Sequence, residues 1–436
     1  MMRYRSALIL GYGRSGRAAE RLLHAEACET IVLTRETTGD TELQHTLRNN
    51  RFEVCVVSPG FSLSHPWVCA VRDAGVPLLS ELELGWSRHR GRTVAVTGSN
   101  GKSTAVKWIC EILQLAGQKT AIGGNYGIPA CEVVLDQPDL DWLVLEVSSF
   151  QLETVREFRA DIGIVLNVLP NHLDRHGSME NYLRTKARIF QCASAEDACL
   201  VPFELLETFQ SEVPDAGSWM TFGRSSDADY HFENGRVFHG SEPALDLSGT
   251  LFESPVLGGC TGAAVAAMAD IAGIAPECVQ QAAQAFEALP HRLEKVGEHR
   301  GVVYINDSKA TNLAAMAVGL QACGKNIHLI AGGLPKESDY TFVKEILAER
   351  VRSIYVIGQA SRALYRAWNG VCPCVECGSL EKAFSTAQDA AVAGDTVLLS
   401  PGCASFDQFS GFEERGECFA ALFRNAAGQD KMLHEN

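Results

Sequence analysis

Short apolar runs that end in glycine or polar residues recur along the chain, and stretches with helical spacing lie between them. Apolar runs of about four to eight residues bounded by turn residues predict buried strands, whereas apolar residues three or four positions apart predict one face of a helix. Strands are predicted at residues 6–10, 30–33, 54–57, 94–97, 143–147, 162–168, 302–305, 327–331, 354–357 and 396–399. Because strands and helices alternate, the pattern predicts an α/β protein.

Two interruptions in this alternation, together with the length of 436 residues, predict three domains. A basic segment poor in apolar residues lies at 87–92, and Leu-Pro-His-Arg occupies 289–292. We expect an N-terminal Rossmann-like domain, a central P-loop ATPase-like domain with a mixed sheet, and a C-terminal Rossmann-like domain, over residues 1–91, 92–289 and 290–436. An Asn-Gly hairpin signal within 219–252 predicts an irregular β insertion in the central domain.

The strand at 94–97 runs into a glycine-broken turn and a predicted helix, Gly98-Ser99-Asn100-Gly101-Lys102-Ser103-Thr104. Inward-facing backbone N–H groups and the positive end of a helix dipole are typical of phosphate sites. Lys102 would add a point charge and Ser103 a hydroxyl for Mg²⁺. The turn is shorter than the common phosphate-loop pattern, because Val96 stands where that pattern has its first glycine. A purely structural turn is the alternative, but the strand before it and the helix after it favour a nucleotide site.

A second glycine pattern, Gly11-Tyr12-Gly13-Arg14-Ser15-Gly16, follows the first predicted strand. This spacing is typical of dinucleotide-binding turns. The second strand, however, ends in Thr34 and Arg35, where an NAD site usually places an acid. The sequence therefore favours a nucleotide other than NAD in the first domain.

Three polar residues of the central domain are candidates for a metal site. Glu146 lies within an apolar strand, where a carboxylate is costly unless it is paired or binds a cation such as Mg²⁺. His172 follows the strand at 162–168, where a satisfied loop histidine is the common alternative. Lys186 falls on the apolar stripe of a helix predicted at 179–190. It either extends to water or, at reduced basicity, reacts with CO₂ to give a carbamate that binds metal.

Polar groups follow three predicted strands of the third domain, namely Asn306 to Asn312, Gly332-Gly333 with Lys336, and Ser400 to Asp407. Because ligands bind at the carboxyl ends of strands in open α/β sheets, these groups predict one site.

Charge and cysteine content narrow the class of protein. The formal net charge of −15 argues against general nucleic-acid binding, so an anionic ligand must meet locally placed Lys and Arg. Fifteen cysteines without a regular framework predict reduced thiols in a cytoplasmic protein. The apolar stretch 7–10 is too short for a signal peptide or a membrane span. We therefore expect no membrane span.

The short phosphate loop resembles that of the Mur ligases and folylpolyglutamate synthases, ATP-dependent enzymes that join a carboxylate to an amine. Further segments resemble the Mur ligases, and above all those that add D-glutamate: residues 58–60, 123–127, 146–152, 291–292, 306–312 and 400–416. The likeness extends over essentially the whole chain. The rival interpretations are a Mur ligase of different amino-acid specificity and a homologue that has lost catalysis.

The resemblance implies UDP-N-acetylmuramoyl-L-alanine, D-glutamate and ATP as ligands, two Mg²⁺ ions, and a reaction through an acyl phosphate. The sugar nucleotide would meet Gly11, Gly13, Arg14, Ser15, Gly16, Thr34 and Arg35, with Asn125 also contacting substrate. ATP would meet Gly98, Ser99, Asn100, Gly101, Lys102, Ser103, Thr104, Arg292, Asp307 and Lys309. D-glutamate would meet Thr311, Lys336, Ser405 and Phe412. One Mg²⁺ would bind Ser103 and Glu146, and a second would bind His172 and carbamylated Lys186, so that Lys102, His172 and Lys186 act in catalysis. We expect a monomer.

The sequence departs from the family pattern in three places. Leu257, Gly258 and Thr261 stand where the family usually has His-Asn-x-x-Asn beside the adenine. Asn171 precedes His172 where an acid is usual, and Leu334 follows the glycine pair where an Asp is usual. These departures put the adenine contacts in doubt but remove no metal ligand.

Overall fold

The computed structural model describes residues 3–35, 39–335 and 339–434. Across these residues the strands form three sheets, of four, nine and six strands. By internal contacts the chain divides into two compact units, residues 1–168 with 175–286 and residues 169–174 with 287–436. The first unit contains the first two sheets and the second unit contains the third. The predicted α/β class is confirmed, whereas the predicted boundary at residue 91 falls within the first unit and stays a prediction.

The first sheet is parallel, with strand order β2-β1-β3-β4. Its strands are β1 (Ser6–Leu10), β2 (Glu29–Leu33), β3 (Val54–Val57) and β4 (Leu78–Ser80). Its helices are α1 (Arg14–Ala25), α2 (Asp40–Asn49), α3 (Pro66–Asp73) and α4 (Glu81–Trp86). The chain changes direction across the sheet between β1 and β3, and ligands of open α/β sheets bind at such a point. The glycine turn after β1 lies there.

The second sheet is mixed, with order β13-β12-β11-β10-β9-β8-β5-β7-β6. Its strands are β5 (Arg92–Thr97), β6 (Thr120–Gly124), β7 (Trp142–Glu146), β8 (Ile162–Val165), β9 (Ala198–Pro202), β10 (Ser218–Gly223), β11 (Tyr230–Glu233), β12 (Arg236–His239) and β13 (Glu242–Asp246). The helices of this part of the chain are α5 (Lys102–Leu115), α6 (Ala130–Asp136), α7 (Ser149–Leu152), α8 (Leu173–His176), α9 (Met179–Ala187), α10 (Leu206–Glu212), α11 (Pro255–Leu257), α12 (Ala263–Ile271) and α13 (Pro276–Ala285). The phosphate-loop strand β5 lies between β7 and β8.

Three local predictions for the central part of the chain can be compared with the structure: two are corrected and one is confirmed. Residues 218–246 do not form a separate insertion, because β10 pairs in parallel with β9 and the next three strands continue the sheet. The predicted hairpin is confirmed, with Asn234 at φ 48 and Gly235 at φ 79 between β11 and β12. The predicted helix at 179–190 ends at Ala187 and continues as a short 3₁₀ turn.

The third sheet has order β14-β15-β19-β16-β17-β18, with β14 antiparallel to β15 and the other pairs parallel. Its strands are β14 (Glu294–His299), β15 (Val302–Asn306), β16 (Ile327–Gly332), β17 (Val351–Ile357), β18 (Cys374–Gly378) and β19 (Thr396–Leu399). Its helices are α14 (Leu313–Ala322), α15 (Lys344–Arg350), α16 (Ser361–Trp368), α17 (Leu380–Ala390) and α18 (Phe412–His434). The carboxyl ends of β15, β19 and β16 are therefore neighbours. Among the described helices, none has the length and apolar character that crossing a membrane requires.

A buried carboxylate joins the first sheet's α4 to the second sheet's α6. Glu81 is 2% exposed, and its Oε1 accepts a hydrogen bond from the N–H of Cys131 at 2.7 Å. Its Oε2 has no hydrogen-bond partner within the described part of the chain. Burial raises the pKa of Glu81 to about 7. The folded protein therefore keeps a proton on Glu81 that the unfolded chain releases at lower pH.

The raised pKa of Glu81 predicts a loss of stability as the pH rises. Between the ordinary glutamate pKa of about 4.3 and the folded value, the native state binds more protons than the unfolded state, so the free energy of unfolding falls with pH. Glu81→Gln has a neutral side chain at every pH. Its free energy of unfolding should therefore fall by about 1–3 kcal/mol less than that of the wild type between pH 5 and pH 8, since one pKa unit equals about 1.4 kcal/mol. Urea unfolding at pH 5 and pH 8 measures it. The exposed Glu277→Gln serves as control. An equal change in the free energy of unfolding between the two pH values in wild type and Glu81→Gln would contradict the prediction.

Candidate active site

The phosphate loop joins β5 to α5 through a turn that only glycine adopts readily. Gly98 has φ 150 and Gly101 has φ 85. A Cβ at Gly98 would also lie 3.2 Å from the Cβ of Leu166. The ammonium group of Lys102 folds back on the turn, donating to the carbonyl oxygens of Gly98 at 2.8 Å and Ser99 at 3.1 Å. Ser103 is buried in the first turn of α5.

Asn167, which the sequence did not single out, fixes the conformation of this loop. Its Oδ1 accepts hydrogen bonds from the N–H groups of Ser99 and Asn100, both at 3.0 Å. Its Nδ2 donates to the carbonyl of Asn100 at 3.1 Å. Its position just beyond β8, the strand beside β5, was the available signal.

Asn167→Ala should raise the KM for ATP by roughly 10- to 50-fold. The substitution removes three neutral hydrogen bonds, each worth about 0.5–1.5 kcal/mol, and frees the loop to leave its binding conformation. Steady-state kinetics with ATP as the varied substrate measure the effect, with the exposed Asn49→Ala of α2 as control. An unchanged KM for ATP would show that the loop keeps its shape without this side chain.

Glu146, at the end of β7, offers an oxygen that suits a cation. The residue is 3% exposed, and its Oε1 accepts a hydrogen bond from Nδ2 of Asn125 at 2.6 Å. Its Oε2 is buried without a hydrogen-bond partner among the described residues. An unpaired buried carboxylate oxygen is costly unless a cation or a proton meets it. The sequence assigned Asn125 to substrate, and the structure places its side chain on Glu146.

The donor set around Glu146 fits a cation that keeps oxygen ligands from water or phosphate. Over the part of the chain that the structure describes, no three His, Cys, Asp or Glu side chains come together to hold a metal. Mg²⁺ is commonly bound by one or two carboxylates with waters and substrate phosphates. Glu146 and the buried hydroxyl of Ser103 fit such a site, and the assignment stays a prediction.

Lys186 is buried, which excludes the alternative that it extends to water. It is 1% exposed, its Nζ donates to Oγ1 of Thr97 at 3.4 Å, and it lies 4.5 Å from the ring centre of Tyr182. Burial, and then the positive charge of Lys102, hold the pKa of Lys186 well below its usual value, while Glu146 opposes them. The buried amine of Lys186 is therefore less basic than that of an exposed lysine.

Tyr182 links α9 to the phosphate loop, which the sequence did not predict. Its hydroxyl lies 3.1 Å from Oγ of Ser99. Burial raises the pKa of Tyr182 to about 12, so the phenol stays neutral. His172 has φ 56 and belongs to the other compact unit, so its place beside Glu146 and Lys186 stays a prediction.

The glycine turn of the first sheet is closely packed at the predicted sugar-nucleotide residues. Gly11 has φ 90, and a Cβ at Gly16 would lie 2.1 Å from the carbonyl oxygen of Gly11. Gly13 precedes α1 and Ser15 lies in its first turn, while Thr34 follows β2. The guanidinium of Arg35 lies 4.3 Å from the ring centre of Phe61. These residues meet at the carboxyl ends of β1, β2 and β3.

In the second unit, Asp307 and Lys309 follow β15. Asp307 is buried, and its Oδ2 accepts a hydrogen bond from the hydroxyl of Ser400 at 2.7 Å. Burial raises the pKa of Asp307 to about 7, against the Ser400 bond and the charge of Arg292. The ammonium of Lys309 lies 3.6 Å from the ring centre of Phe412.

Arg415 organises the predicted amino-acid site from the first turns of α18. It is 0% exposed and donates to Oγ of Ser308 at 3.0 Å, to the Ser308 carbonyl at 2.8 Å and to the Cys403 carbonyl at 3.1 Å. Burial lowers its pKa to about 10, and no described carboxylate forms an ion pair with it. The segment 400–416, which resembles the Mur ligases, includes Arg415, but the sequence assigned it no role.

The segments that Arg415 joins contain Thr311, Ser405 and Phe412, three of the residues assigned to D-glutamate. The Ser308 hydroxyl also donates to the carbonyl of Phe412 at 2.8 Å. The fourth assigned residue, Lys336, lies outside the described residues. The neighbouring strand ends β15, β19 and β16 thus bring together the described residues that the sequence assigned to one site.

Comparison with known proteins identifies the family. The model for the Mur ligase middle domain matches residues 96–259, and that for the Mur ligase glutamate ligase domain matches residues 291–403. A relative from Acidobacterium capsulatum, named UDP-N-acetylmuramoylalanine–D-glutamate ligase, is 36% identical and covers 96% of both chains. The chain belongs to the Mur ligase family. A relative of the same name from Koribacter versatilis is 35% identical over 99% of both chains.

Solved structures agree on the Mur ligase fold. The MurF ligase from Thermotoga maritima, solved in complex with ADP, has a TM-score of 0.62 at 18% identity and covers 89% of this chain and 94% of its own. A bifunctional folylpolyglutamate synthase/dihydrofolate synthase from Yersinia pestis, complexed with AMPPNP and Mn, has a TM-score of 0.58 at 17% identity, covering 79% and 92%. At these identities the likeness shows the shared fold.

The segment that departs from the Mur ligase pattern adopts a π-helical turn, Gly258–Gly262, between Leu257 and α12. A Cβ at Gly258 would lie 2.2 Å from the ring of Phe232, so the asparagine usual in the family does not fit there. Thr261 is 2% exposed, and its Oγ1 would lie 3.5 Å from a Cβ at Gly101. Thr261 therefore lies beside the phosphate loop.

This Mur ligase should discriminate weakly between ATP and GTP, because the amide side chains that the family resemblance places beside the adenine are missing. Thr261→Asn restores one amide and should raise the ATP-to-GTP ratio of kcat/KM by about 2- to 10-fold, the equivalent of one neutral hydrogen bond. Thr208→Asn, exposed on α10, is the control. An unaltered ratio in Thr261→Asn would show that other groups recognise the base.

Proposed function

We propose that this Mur ligase joins D-glutamate to UDP-N-acetylmuramoyl-L-alanine with cleavage of ATP to ADP and phosphate, a step of peptidoglycan precursor synthesis. The observation that supports it most strongly is the near full-length match to relatives with this activity in their names, at 31% to 36% identity. We propose that the protein acts in the cytoplasm as a monomer and in support of cell division.

The phosphate loop and Lys102 suit the first chemical step. A carboxylate is a poor acyl donor, so the alanyl carboxylate first attacks the γ-phosphorus of ATP, the bond to the ADP oxygen breaks, and an acyl phosphate forms. Lys102 is already directed at the inner side of the turn, where its charge would meet the triphosphate. Mg²⁺, when bound, would neutralise developing negative charge on the transferred group.

The amino-acid site suits the second step. The neutral amine of D-glutamate attacks the acyl carbon, the bond from that carbon to the phosphate oxygen breaks, and phosphate leaves. The nitrogen loses one proton, and an amide remains. Thr311, Ser405, Phe412 and Lys336 are proposed to hold D-glutamate, and Arg292, Asp307 and Lys309 to meet ATP. Arg415 holds two of the segments involved in one conformation.

Four residues are proposed as cation ligands. Ser103 and Glu146 would bind one Mg²⁺, and the buried Oε2 of Glu146, which has no hydrogen-bond partner within the described ranges, supports this. His172 and a carbamate on Lys186 would bind a second, which the buried and weakly basic amine of Lys186 supports.

The proposal is tested by following ADP formation with UDP-N-acetylmuramoyl-L-alanine and a panel of amines. D-glutamate should support turnover, whereas L-glutamate, L-alanine, a diamino acid and a D-alanyl dipeptide should not. Omitting the sugar nucleotide is the control for idle ATP hydrolysis. Turnover with L-alanine would assign another specificity, and binding of the sugar nucleotide without ADP formation would favour a non-catalytic homologue.

A further inference from the structure

The side chain of Arg14 extends from the first sheet to a loop of the second sheet. Arg14 begins α1, directly after the glycine turn of the predicted sugar-nucleotide site. Its Nη2 donates to the carbonyl oxygen of Gly127 at 2.8 Å. Gly127 lies in the loop of residues 125–129, between β6 and α6. One hydrogen bond thus connects the two sites of the first unit.

The loop that Arg14 contacts also forms hydrogen bonds with Glu146, the predicted cation ligand. Asn125, two residues before Gly127, donates from Nδ2 to Oε1 of Glu146 at 2.6 Å and from its main-chain N–H to the Glu146 carbonyl at 2.8 Å. The N–H of Gly124 donates to the Ile128 carbonyl at 3.0 Å, which closes the loop on itself. Because these bonds restrain the loop, a displacement of Gly127 also displaces Asn125.

The far end of the loop is anchored to the first sheet as well. Glu81 accepts the N–H of Cys131 at 2.7 Å, and Arg21 donates to Asp136 at 2.7 Å. Both contacts hold α6, whereas Arg14 holds the loop itself, nearest to Asn125. Of these three residues of the first sheet's domain, Arg14 is the one that lies within the glycine pattern Gly11–Gly16, at the first position of α1.

We propose that Arg14 is a positioning residue that couples two binding events: binding of the sugar nucleotide at Gly11–Gly16, and binding of ATP with its cation at Glu146. This inference rests on the proposed function. A ligand that fixes the glycine turn fixes the backbone of Arg14, which restrains Gly127 and, through it, the Asn125 side chain on Glu146. Coupling between two sites is reciprocal. ATP with its cation at Glu146 therefore strengthens sugar-nucleotide binding by the same factor by which the sugar nucleotide strengthens ATP binding.

Direct contact between Arg14 and the sugar nucleotide, which the family resemblance implies, is the competing explanation. In that case Arg14→Ala weakens sugar-nucleotide binding equally whether or not the phosphate loop is occupied. Under the coupling proposal, the ratio of the two dissociation constants changes. The ratio therefore separates a binding role from a positioning role.

Calorimetry of UDP-N-acetylmuramoyl-L-alanine with the full chain measures this ratio, without and with saturating Mg²⁺ and a non-hydrolysable ATP analogue. Wild type should bind about 5-fold or more tightly in the presence of the analogue, the lower end of common couplings. Arg14→Ala should bind equally in both conditions. The control Arg17→Ala, on the same helix, should keep the wild-type ratio; the guanidinium of Arg17 donates to the Tyr12 carbonyl at 3.1 Å and lies 6.0 Å from the centre of the Tyr12 ring. Titration of the analogue with and without the sugar nucleotide should give the same factors.

Two results would overturn the inference while leaving the proposed function intact: a wild-type ratio of one, or an Arg14→Ala variant that keeps the wild-type ratio. Failure of wild type to bind the sugar nucleotide at all would instead overturn the proposed function, and the inference with it.

Discussion

Lys186→Ala is expected to lower kcat for ADP formation roughly a thousandfold, which corresponds to about 4 kcal/mol of transition-state stabilisation. The proposed role of Lys186 is to hold a cation through a carbamate, and a metal's stabilisation of transferred charge is worth several kcal/mol. The exposed Arg184→Ala on the same helix α9 serves as control. Kinetics at saturating substrates measure the effect.

The environment of Lys186 explains why CO₂ would react there. A protonated amine has no free electron pair, and burial beside Lys102 disfavours the protonated form. The neutral nitrogen attacks the carbon of CO₂, a nitrogen–carbon bond forms, and one proton is released to solvent. The resulting carbamate would bring a negative charge to a position where Lys102 and a cation can balance it.

The carbamate hypothesis predicts that a small carboxylate partly restores the activity of Lys186→Ala. Acetate or formate, small enough to fill the vacated space, should restore part of the lost activity. Wild type depleted of CO₂ and bicarbonate should lose activity that bicarbonate returns. Full activity without CO₂, or loss that no carboxylate repairs, would leave Lys186 acting as an amine.

Several strands with apolar side chains on both faces could be located from the sequence alone, although β9 (Ala198–Pro202), which is buried throughout, was not predicted. The predictions at 6–10, 54–57 and 396–399 coincide with β1, β3 and β19. The strand β14 was missed because Glu294–His299 is largely polar, as suits an antiparallel edge. Strand order was beyond prediction, since pairings such as β19 between β15 and β16 join distant parts of the chain. The same limit led to the error over β10 to β13.

The candidate site divides in a similar way. The phosphate loop was predictable because its glycines, lysine and hydroxyls are contiguous. Asn167 was missed because its bond to the Asn100 N–H spans 67 residues, and Arg415 because its bond to Ser308 spans 107. The position of Lys186 on a helix stripe left open whether the amine extends to water, because burial and the neighbours Lys102 and Glu146 set its basicity only in the folded chain.

Arg415→Met should raise the KM for D-glutamate about 100-fold or more. Methionine fills much of the buried volume but donates no hydrogen bond, and a hydrogen bond to a charged group is worth about 1.5–3 kcal/mol. Losing the bonds to the Ser308 and Cys403 carbonyls frees the segments that contain Thr311 and Ser405 from each other. Dissociation constants for the sugar nucleotide, which is proposed to bind the other compact unit, should change little.

The comparison of Arg415→Met with Arg415→Lys separates packing from hydrogen bonding. Lysine keeps the charge but lacks the planar fork that reaches two carbonyls and a hydroxyl at once, so we expect a KM for D-glutamate between wild type and Arg415→Met. Arg424→Met, exposed on the same helix, should match wild type. If Arg415→Met lowered the thermal midpoint yet left the KM for D-glutamate unchanged, Arg415 would stabilise the third sheet's fold without shaping the amino-acid site. A raised KM that lysine partly restores would instead mean that the buried guanidinium fixes the strand ends in the conformation that accepts D-glutamate.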